Sequence, residues 1–454
     1  MLIDQSRTRL LNEVEAGSGP VVYWMQRDQR SVDNWALLYA KEQADARQVA
    51  LHVVFNLVES YGKASFRQFA FMLRGLREVE QDLLSKNIQF ALLEGAPEKT
   101  VVSYIERIDA GELVLDFNPM PLPARWKSEV LQKLKQRVTE VDAHNVVPCF
   151  AASDKQEFAA YTFRPKVHKV LRQYLTNLPK LSTHKYGEAK TTSIDWDTVI
   201  AGVSANREIG EIDWCTPGMK AATVALKGFA SEKLDGYATD RNDPTKDGQS
   251  DLSPYLHFGQ LSAQRVAYEV SQAYDMDKES REAYLEELVV RKELADNYCY
   301  YSKTPDKVSG AHEWAQKTIE EHKNDEREYL YTKEQFVHGK THDEFWNAMQ
   351  AQLVTTGKMH GWCRMYWAKK VLEWTRSAEE AVEIALYLND TYSIDGNDPN
   401  GIVGVMWSIC GVHDRAWPER PVFGKIRYMN FAGAKRKFKV DDYVEKWLPK
   451  ESLF

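Results

Sequence analysis

Between Val21 and Val141, short apolar runs rich in β-formers alternate with longer stretches whose apolar positions recur every three or four residues. The runs are Val21 to Met25, Val49 to Phe55, Ile88 to Leu93, Leu113 to Phe117 and Val138 to Val141. The longer stretches are Ser31 to Lys41, Phe66 to Leu84, Glu98 to Ile108 and Arg125 to Gln136. Strands alternating with helices at this spacing predict βαβ units and a parallel sheet covered on both faces. Residues 1–150 are therefore expected to form an α/β doubly wound domain, with a ligand crevice beyond the strand C-termini where the strand order reverses.

Periodicity weakens over residues 151–217, which read as an interdomain linker crossing a surface. The exceptions are a basic amphipathic helix at Arg164 to Leu178 and a polar stretch holding Ser182, Thr183, Thr191 and Thr192. From Gly218 the strand-like alternation stops, and helical periods occupy Lys220 to Glu232, Ser262 to Tyr274, Arg281 to Asn297, Glu344 to Val354, Met359 to Trp374 and Ala378 to Leu388. Residues 218–454 are predicted to be a nearly all-α domain. No internal repeat breaks this plan.

Composition narrows the class without naming a function. The 454 residues are 43% hydrophobic and 28% charged, an ordinary globular balance. Fifty-nine basic against 66 acidic residues leave −7, which on its face argues against a nucleic-acid partner. Asp4, Arg7, Arg9, Glu13 and Glu15 stand where a secretory signal needs an apolar run, and Gly401 to Val412 is far short of the roughly 18 residues of a membrane span. Five cysteines, never spaced Cys-x-x-Cys, fit reduced thiols. A soluble, cytoplasmic monomer with no membrane contact is expected. Tryptophan is the unusual feature: seven of 13 lie in the last 109 residues.

The first predicted strand ends in Met25-Gln26-Arg27-Asp28-Gln29-Arg30, and no dinucleotide or Walker glycine loop occurs. His338 and His342 have the spacing of a zinc pair, but no third ligand accompanies them, and no metal site is expected. With no nucleophile motif either, a cofactor is the expected carrier of any difficult chemistry.

Three segments are candidates. In Asp247 to Gly259, Ser250 and Ser253 precede a helix start with Pro254 in its first turn, which suits either an ordinary cap or a pyrophosphate site. In Met359 to Trp374, Trp367 and Trp374 lie on one face with a rise of roughly 10 Å between them, and Trp346 on the preceding helix would pack between them. An aromatic core stripe and an electron-conducting file of indoles both remain open readings. The loop Leu388 to Gly401 offers Asn389, Asp390, Asp395, Asn397, Asp398 and Asn400 at close quarters.

Taken together, the chain resembles the photolyase/cryptochrome family, and within it the class II cyclobutane pyrimidine dimer photolyases. The resemblance rests on Tyr23 to Arg30, Asp33 to Leu37, Leu252 to Gln260, Glu286 to Leu294 and Arg364 to Lys370, and it extends over nearly the whole chain. It implies an enzyme, a deoxyribodipyrimidine photo-lyase, that binds FAD in the helical domain and uses blue light to split pyrimidine dimers in UV-damaged DNA. The cofactor-binding residues it implies are Tyr237, Ser250, Leu252, Ser253, Arg364 and Asp395. Asn389 would face the flavin, with Asn397 and Asn400 as rivals. The tryptophan file would run through Trp367, Trp346 and Trp374, with Trp367 beside the flavin and Trp374 at the surface.

The resemblance also makes Glu287 the acid that contacts the dimer, donating a hydrogen bond to a dimer carbonyl from a carboxyl kept protonated by burial; an ion pair with Arg291 one helical turn on is the structural alternative. Arg291 stands where some relatives carry Trp. Met365 and Trp407 would wall the lesion pocket. DNA contacts are expected from Arg241, Arg415, Trp417, Arg427 and the rest of the stretch Arg415 to Lys439, where eight basic residues against Glu419 leave +7. The resemblance also implies an antenna chromophore in the N-terminal crevice, with a deazaflavin, a folate or no chromophore left open. The competing reading is a cryptochrome-like blue-light receptor without repair activity, and repair of (6-4) photoproducts is a weaker enzymatic alternative.

Overall fold

In a computed structural model of the chain, residues 3–190 and 193–448 are described. Thr191 and Thr192 of the polar stretch lie outside them. A six-stranded sheet runs in the order β1-β6-β5-β2-β3-β4, with β1 (Thr8–Leu10), β2 (Val21–Met25), β3 (Leu51–Leu57), β4 (Gln89–Glu94), β5 (Glu112–Asp116) and β6 (Arg137–Val141). Strands β2 to β6 are parallel, whereas β1 pairs antiparallel with β6 at the edge. The doubly wound domain is as the alternation predicts. The three residues of β1 are too few to show a period, which is why the pattern misses that strand.

Central strand β2 is wholly buried and apolar because helices cover both faces: Val21, Tyr23 and Met25 face one layer, Val22 and Trp24 the other. The chain reverses sheet direction on either side of β2, so its C-terminal loop sits at the switch point. No glycine motif shapes this loop. Instead the Asp116 carboxylate, at the end of β5, accepts from the backbone N–H groups of Gln26, Arg27 and Asp28 at 2.8, 2.9 and 3.0 Å and from the Tyr23 hydroxyl at 2.6 Å.

So fixed, the loop reaches into the helical region. Arg27 donates from both terminal nitrogens to Asp296 at 2.9 Å, and both side chains are buried. Arg30 donates to Asp28 and to the carbonyls of Ala143 and Gly259. Gly259 has φ +63°, and a Cβ there would lie 2.1 Å from the Arg27 carbonyl oxygen, so only glycine allows this approach.

Residues 151–217 contribute side chains to both cores. Phe163, Val167 and Tyr174, on the helix Ala160–Tyr174, pack into the helical region. Trp196 packs beneath the sheet helices and donates to Glu80 at 2.6 Å. Beyond residue 218 the described elements are helical, apart from one isolated bridge between Arg420 and Gly424. The stretch predicted as one helix from Arg281 to Asn297 is a continuous run, Lys278–Leu285 and Lys292–Tyr301, with a π-helical turn at Glu286–Arg291 between them.

Replacing Asp296 with Ala leaves Arg27 as an uncompensated buried charge, so we expect a loss of about 3–5 kcal/mol. Thermal and urea unfolding of Asp296→Ala against wild type measure it.

Candidate functional site

Three helices, Gly361–Glu373, Ala378–Tyr392 and Pro399–Cys410, enclose a hollow lined by Arg364, Trp367, Asn389, Ser393, Asn400, Gly401 and Gly404 among others. Arg364 organises it, donating to Asn389 Oδ1 at 2.9 Å, Asp395 Oδ1 at 3.0 Å and the Met359 carbonyl at 3.1 Å. Burial pushes the Asp395 carboxyl up, but the Arg364 guanidinium and a Ser253 hydrogen bond outweigh it and hold the group below its ordinary range. The Asn389 amide nitrogen donates to Asp390 at 2.9 Å. Gly401 is closed against that amide, since a Cβ would come within 2.6 Å of it. Gly404 is the opposite: a Cβ there would meet nothing within 4 Å, so this helix face is open.

Trp367 forms one wall of the hollow, and behind it lies a file of indoles. Trp346 is parallel to Trp367, with centroids 6.1 Å apart and planes 5° apart, and stands 6.3 Å from Trp374. Trp346 is therefore the middle member. Trp346 donates its indole N–H to the Trp367 carbonyl, and Trp367 donates to Gln350, both at 3.0 Å. The expectation of Trp374 at the surface is corrected, for its side chain is buried. Its ring borders an open groove and touches Tyr331 at 5.7 Å and His342 at 4.9 Å, and Tyr329 stacks on His342 at 3.7 Å. Sequence reasoning tested His342 only as a zinc ligand and did not single out Tyr329 or Tyr331.

Of the proposed phosphate-binding residues, Ser253 opens the short helix Ser253–His257 and bonds to Asp395, which ties it to the hollow. Leu252 is buried, and its N–H meets Ser250 Oγ at 3.4 Å. Tyr237 is buried against Phe229 and Tyr284. Two lysines absent from the sequence reading flank this segment: Lys233 and Lys358 both pair with Asp251.

Asn397 lies elsewhere. Its Oδ1 faces the backbone N–H of Lys63 at 3.4 Å, and it lines a crevice on the N-terminal domain instead of the hollow. That crevice opens at the strand C-termini, between Met25–Gln29, Phe55–Val58 and Met120, at the switch point where the topology predicts a ligand. Gln26 Nε2 and Gln29 Oε1 line it, buried and without hydrogen-bond partners among the described residues.

At the rim, two readings of Glu287 need correction. Its side chain is 39% exposed and accepts from Arg241 at 2.7 Å, so the burial invoked for a protonated acid is not present, and its ion-pair partner is not Arg291. The π-helical turn explains the exchange: the extra residue per turn brings Arg291 over Glu286, to which it donates at 3.1 Å. Arg241 also lies over the Tyr237 ring at 5.6 Å.

Across the rim the structure gathers the C-terminal residues. Arg427 is held by Asp414 at 2.7 and 3.0 Å and lies between two rings, 4.2 Å from Trp417 and 5.4 Å from Trp407. Arg415 covers Trp417 at 5.5 Å. Met365 is half-buried against the helical core. Lys369, a buried lysine the sequence reading passed over, sits under Trp407, with Nζ 4.6 Å from the ring and donating to the Ser408 carbonyl at 2.9 Å. The +7 of this stretch is partly matched locally: besides Arg427 with Asp414, Lys435 pairs with Asp441 and Lys439 with Asp442.

A family model described as DNA photolyase matches residues 21–183. Two curated relatives, both described as deoxyribodipyrimidine photo-lyase, match almost end to end. The rice protein (Oryza sativa subsp. japonica) is 50% identical over 440 residues, covering 94% of this chain and 87% of its own. That of Potorous tridactylus is 46% identical over 452 residues, covering 98% and 85%. The chain belongs to the photolyase/cryptochrome family. Identity at this level to plant and animal proteins fits the class II resemblance of its motifs. A solved bacterial class III photolyase from Agrobacterium tumefaciens, 18% identical, shares the family fold with a TM-score of 0.72 over 96% of this chain and 88% of its own. Among the described residues of this family member no helix is long and apolar enough to cross a membrane, and no cluster of metal-ligating side chains occurs.

Burial pushes the Lys369 ammonium down to about 7 from its ordinary 10.5, opposed by Asp414 and assisted by Arg427. Between those values the unfolded chain holds a proton on this lysine that the folded chain lacks, so stability rises with pH across the window. Compared with Lys369→Met, the unmodified protein is therefore expected to gain stability as pH climbs from about 7 to 10.5. Thermal midpoints of the pair measured across that range check it.

Proposed function

We propose that this chain is a light-driven DNA repair enzyme that splits cyclobutane pyrimidine dimers with FAD bound in the helical domain. The observation that carries this reading is near-full-length similarity to proteins named deoxyribodipyrimidine photo-lyase. The residues fit the cofactor: Gly404 leaves one helix face open, the Arg364–Asp395 ion pair beside the hollow would hold the ring system, and Lys233 and Lys358, both paired with Asp251 next to Ser250, would face its phosphates. When bound and photoexcited in its reduced form, FAD supplies the electron that opens the dimer and accepts it back.

The protein's own part is positioning and electron delivery. Arg364 fixes the Asn389 amide on one side of the hollow, and Trp367 closes the other. Trp346 and Trp374 continue from Trp367 in ring contact, giving an electron path through a core from which water is excluded. Glu287, paired with Arg241 at the rim, would meet a flipped-out dimer, and Arg241 beside it would meet the DNA. Trp407 presents an apolar wall steadied by Lys369 and Arg427. Arg415 and Arg427 supply phosphate contacts, with Trp417 beside them. The N-terminal crevice would hold an antenna chromophore, with Gln26 Nε2 and Gln29 Oε1 available to hydrogen-bond it.

Reduced protein mixed with an oligonucleotide carrying one thymine dimer is expected to remove the dimer under blue light and not in darkness. Dimers that persist under illumination would leave the photoreceptor reading. Trp346→Phe is expected to slow light-driven flavin reduction about ten-fold or more, equivalent to at least about 1.4 kcal/mol of barrier. Dithionite, which delivers electrons by another route, is expected to restore repair in that variant. For the crevice, the absorption spectrum of protein mixed with a deazaflavin or a folate is expected to gain a retained second band, lost on Gln29→Leu.

A further inference from the structure

The helix Ala160–Tyr174 carries Arg164, Lys166, Lys169 and Arg172, with His168 between them, and no acidic residue. Phe163, Val167 and Tyr174 face the core, leaving Tyr161, Pro165, His168, Lys169 and Arg172 exposed along the other side. Two of the cations have local partners: Lys166 pairs with Glu157, and Arg164 donates to both oxygens of Glu286 at 2.9 and 2.7 Å. Among the described residues, Lys169 and Arg172 have no carboxylate within ion-pair distance.

Where this row begins matters more than its charge. Glu286 is gripped by two guanidiniums, Arg164 and Arg291, and it is the immediate neighbour of Glu287. The helix therefore starts at the rim of the proposed lesion pocket. Just before the helix, Phe158 stacks on His312 at 4.2 Å, which anchors the start of the row. From Arg164 to Arg172 the helix rises about 12 Å, the axial span of about three or four phosphates on one strand.

We propose that the exposed face bearing His168, Lys169 and Arg172 is a DNA-backbone contact, separate from the C-terminal basic stretch, that holds duplex flanking the lesion. The inference rests on the repair reading and adds to it the path of the duplex away from the pocket. The free cations are two lysine and arginine heads in a row on a rigid element, a geometry that fits phosphates and reads no bases. It also gives the duplex a favourable track on a protein whose net charge is −7.

The test is dark binding of a duplex carrying one thymine dimer, measured over a series of salt concentrations. Lys169→Ala/Arg172→Ala is expected to lower the slope of log affinity against log salt by about 1.8, so that the unmodified protein's advantage shrinks about ten-fold between 50 and 200 mM salt. Lys99→Ala, a charge removed from a helix of the N-terminal domain, controls for net charge and is expected to keep the wild-type slope. An unchanged slope in the double variant overturns the inference, as does an equal loss in the Lys99 control. Failure of the parent reading looks different: unmodified protein that binds the duplex yet leaves its dimer intact under blue light.

Discussion

The buried pair between Arg27 and Asp296 is the contact on which the rest of the arrangement depends. Arg27 belongs to the loop after the central strand, and Asp296 belongs to the long helical run that carries Glu287 at its π-helical turn. Such a pair adds little net stability over an apolar contact, but it tolerates almost no displacement, because separation leaves a charge stranded in the interior. The loop can bear that demand because the Asp116 carboxylate already fixes three of its backbone N–H groups. One carboxylate thus sets the mouth of the N-terminal crevice and the seating of the helical region on the sheet.

The same joint brings the two ligand spaces close together. Asp398 receives His257 at 3.0 Å and lies 3.9 Å from Arg27, while Asn397 beside it lines the crevice. Seven residues back, in the last turn of the helix Ala378–Tyr392, Asp390 accepts from Asn389 on one side and from the Asn397 backbone on the other. The segment expected as one loop from Leu388 to Gly401 is in fact the end of one helix, the connection 393–398 and the start of the next, and it runs from the hollow to the crevice. Its polar density, which reads in sequence as a turn, serves two sites and the wall between them.

Much of this was legible in sequence, and the failures have physical causes. The period of two changing to a period of three to four marked both regions, because burying one face of each element dictates it. The motif set located the hollow through Arg364, Asn389 and Asp395. The partner of Glu287 was misread because spacing rules assume 3.6 residues per turn, and a π-helical turn moves Arg291 onto Glu286. Trp374 was placed at the surface because a position on its own helix cannot reveal that Tyr331 and His342, from a different stretch, cover it. The −7 total concealed the basic segments because a sum over the chain carries no positions.

What the sequence by itself determined is what depends on near neighbours: strand and helix periods, the caps, and the motif strings that mark the family. What only the tertiary structure decided is which distant groups meet. Asn397 was separated from Asn389, Trp346 became the middle of three rings, Lys369 was brought under Trp407, and the basic helix of the connecting segment was set beside Glu286. These outcomes follow from how helices pack and from where buried charges find partners, and both are settled only once the whole core closes.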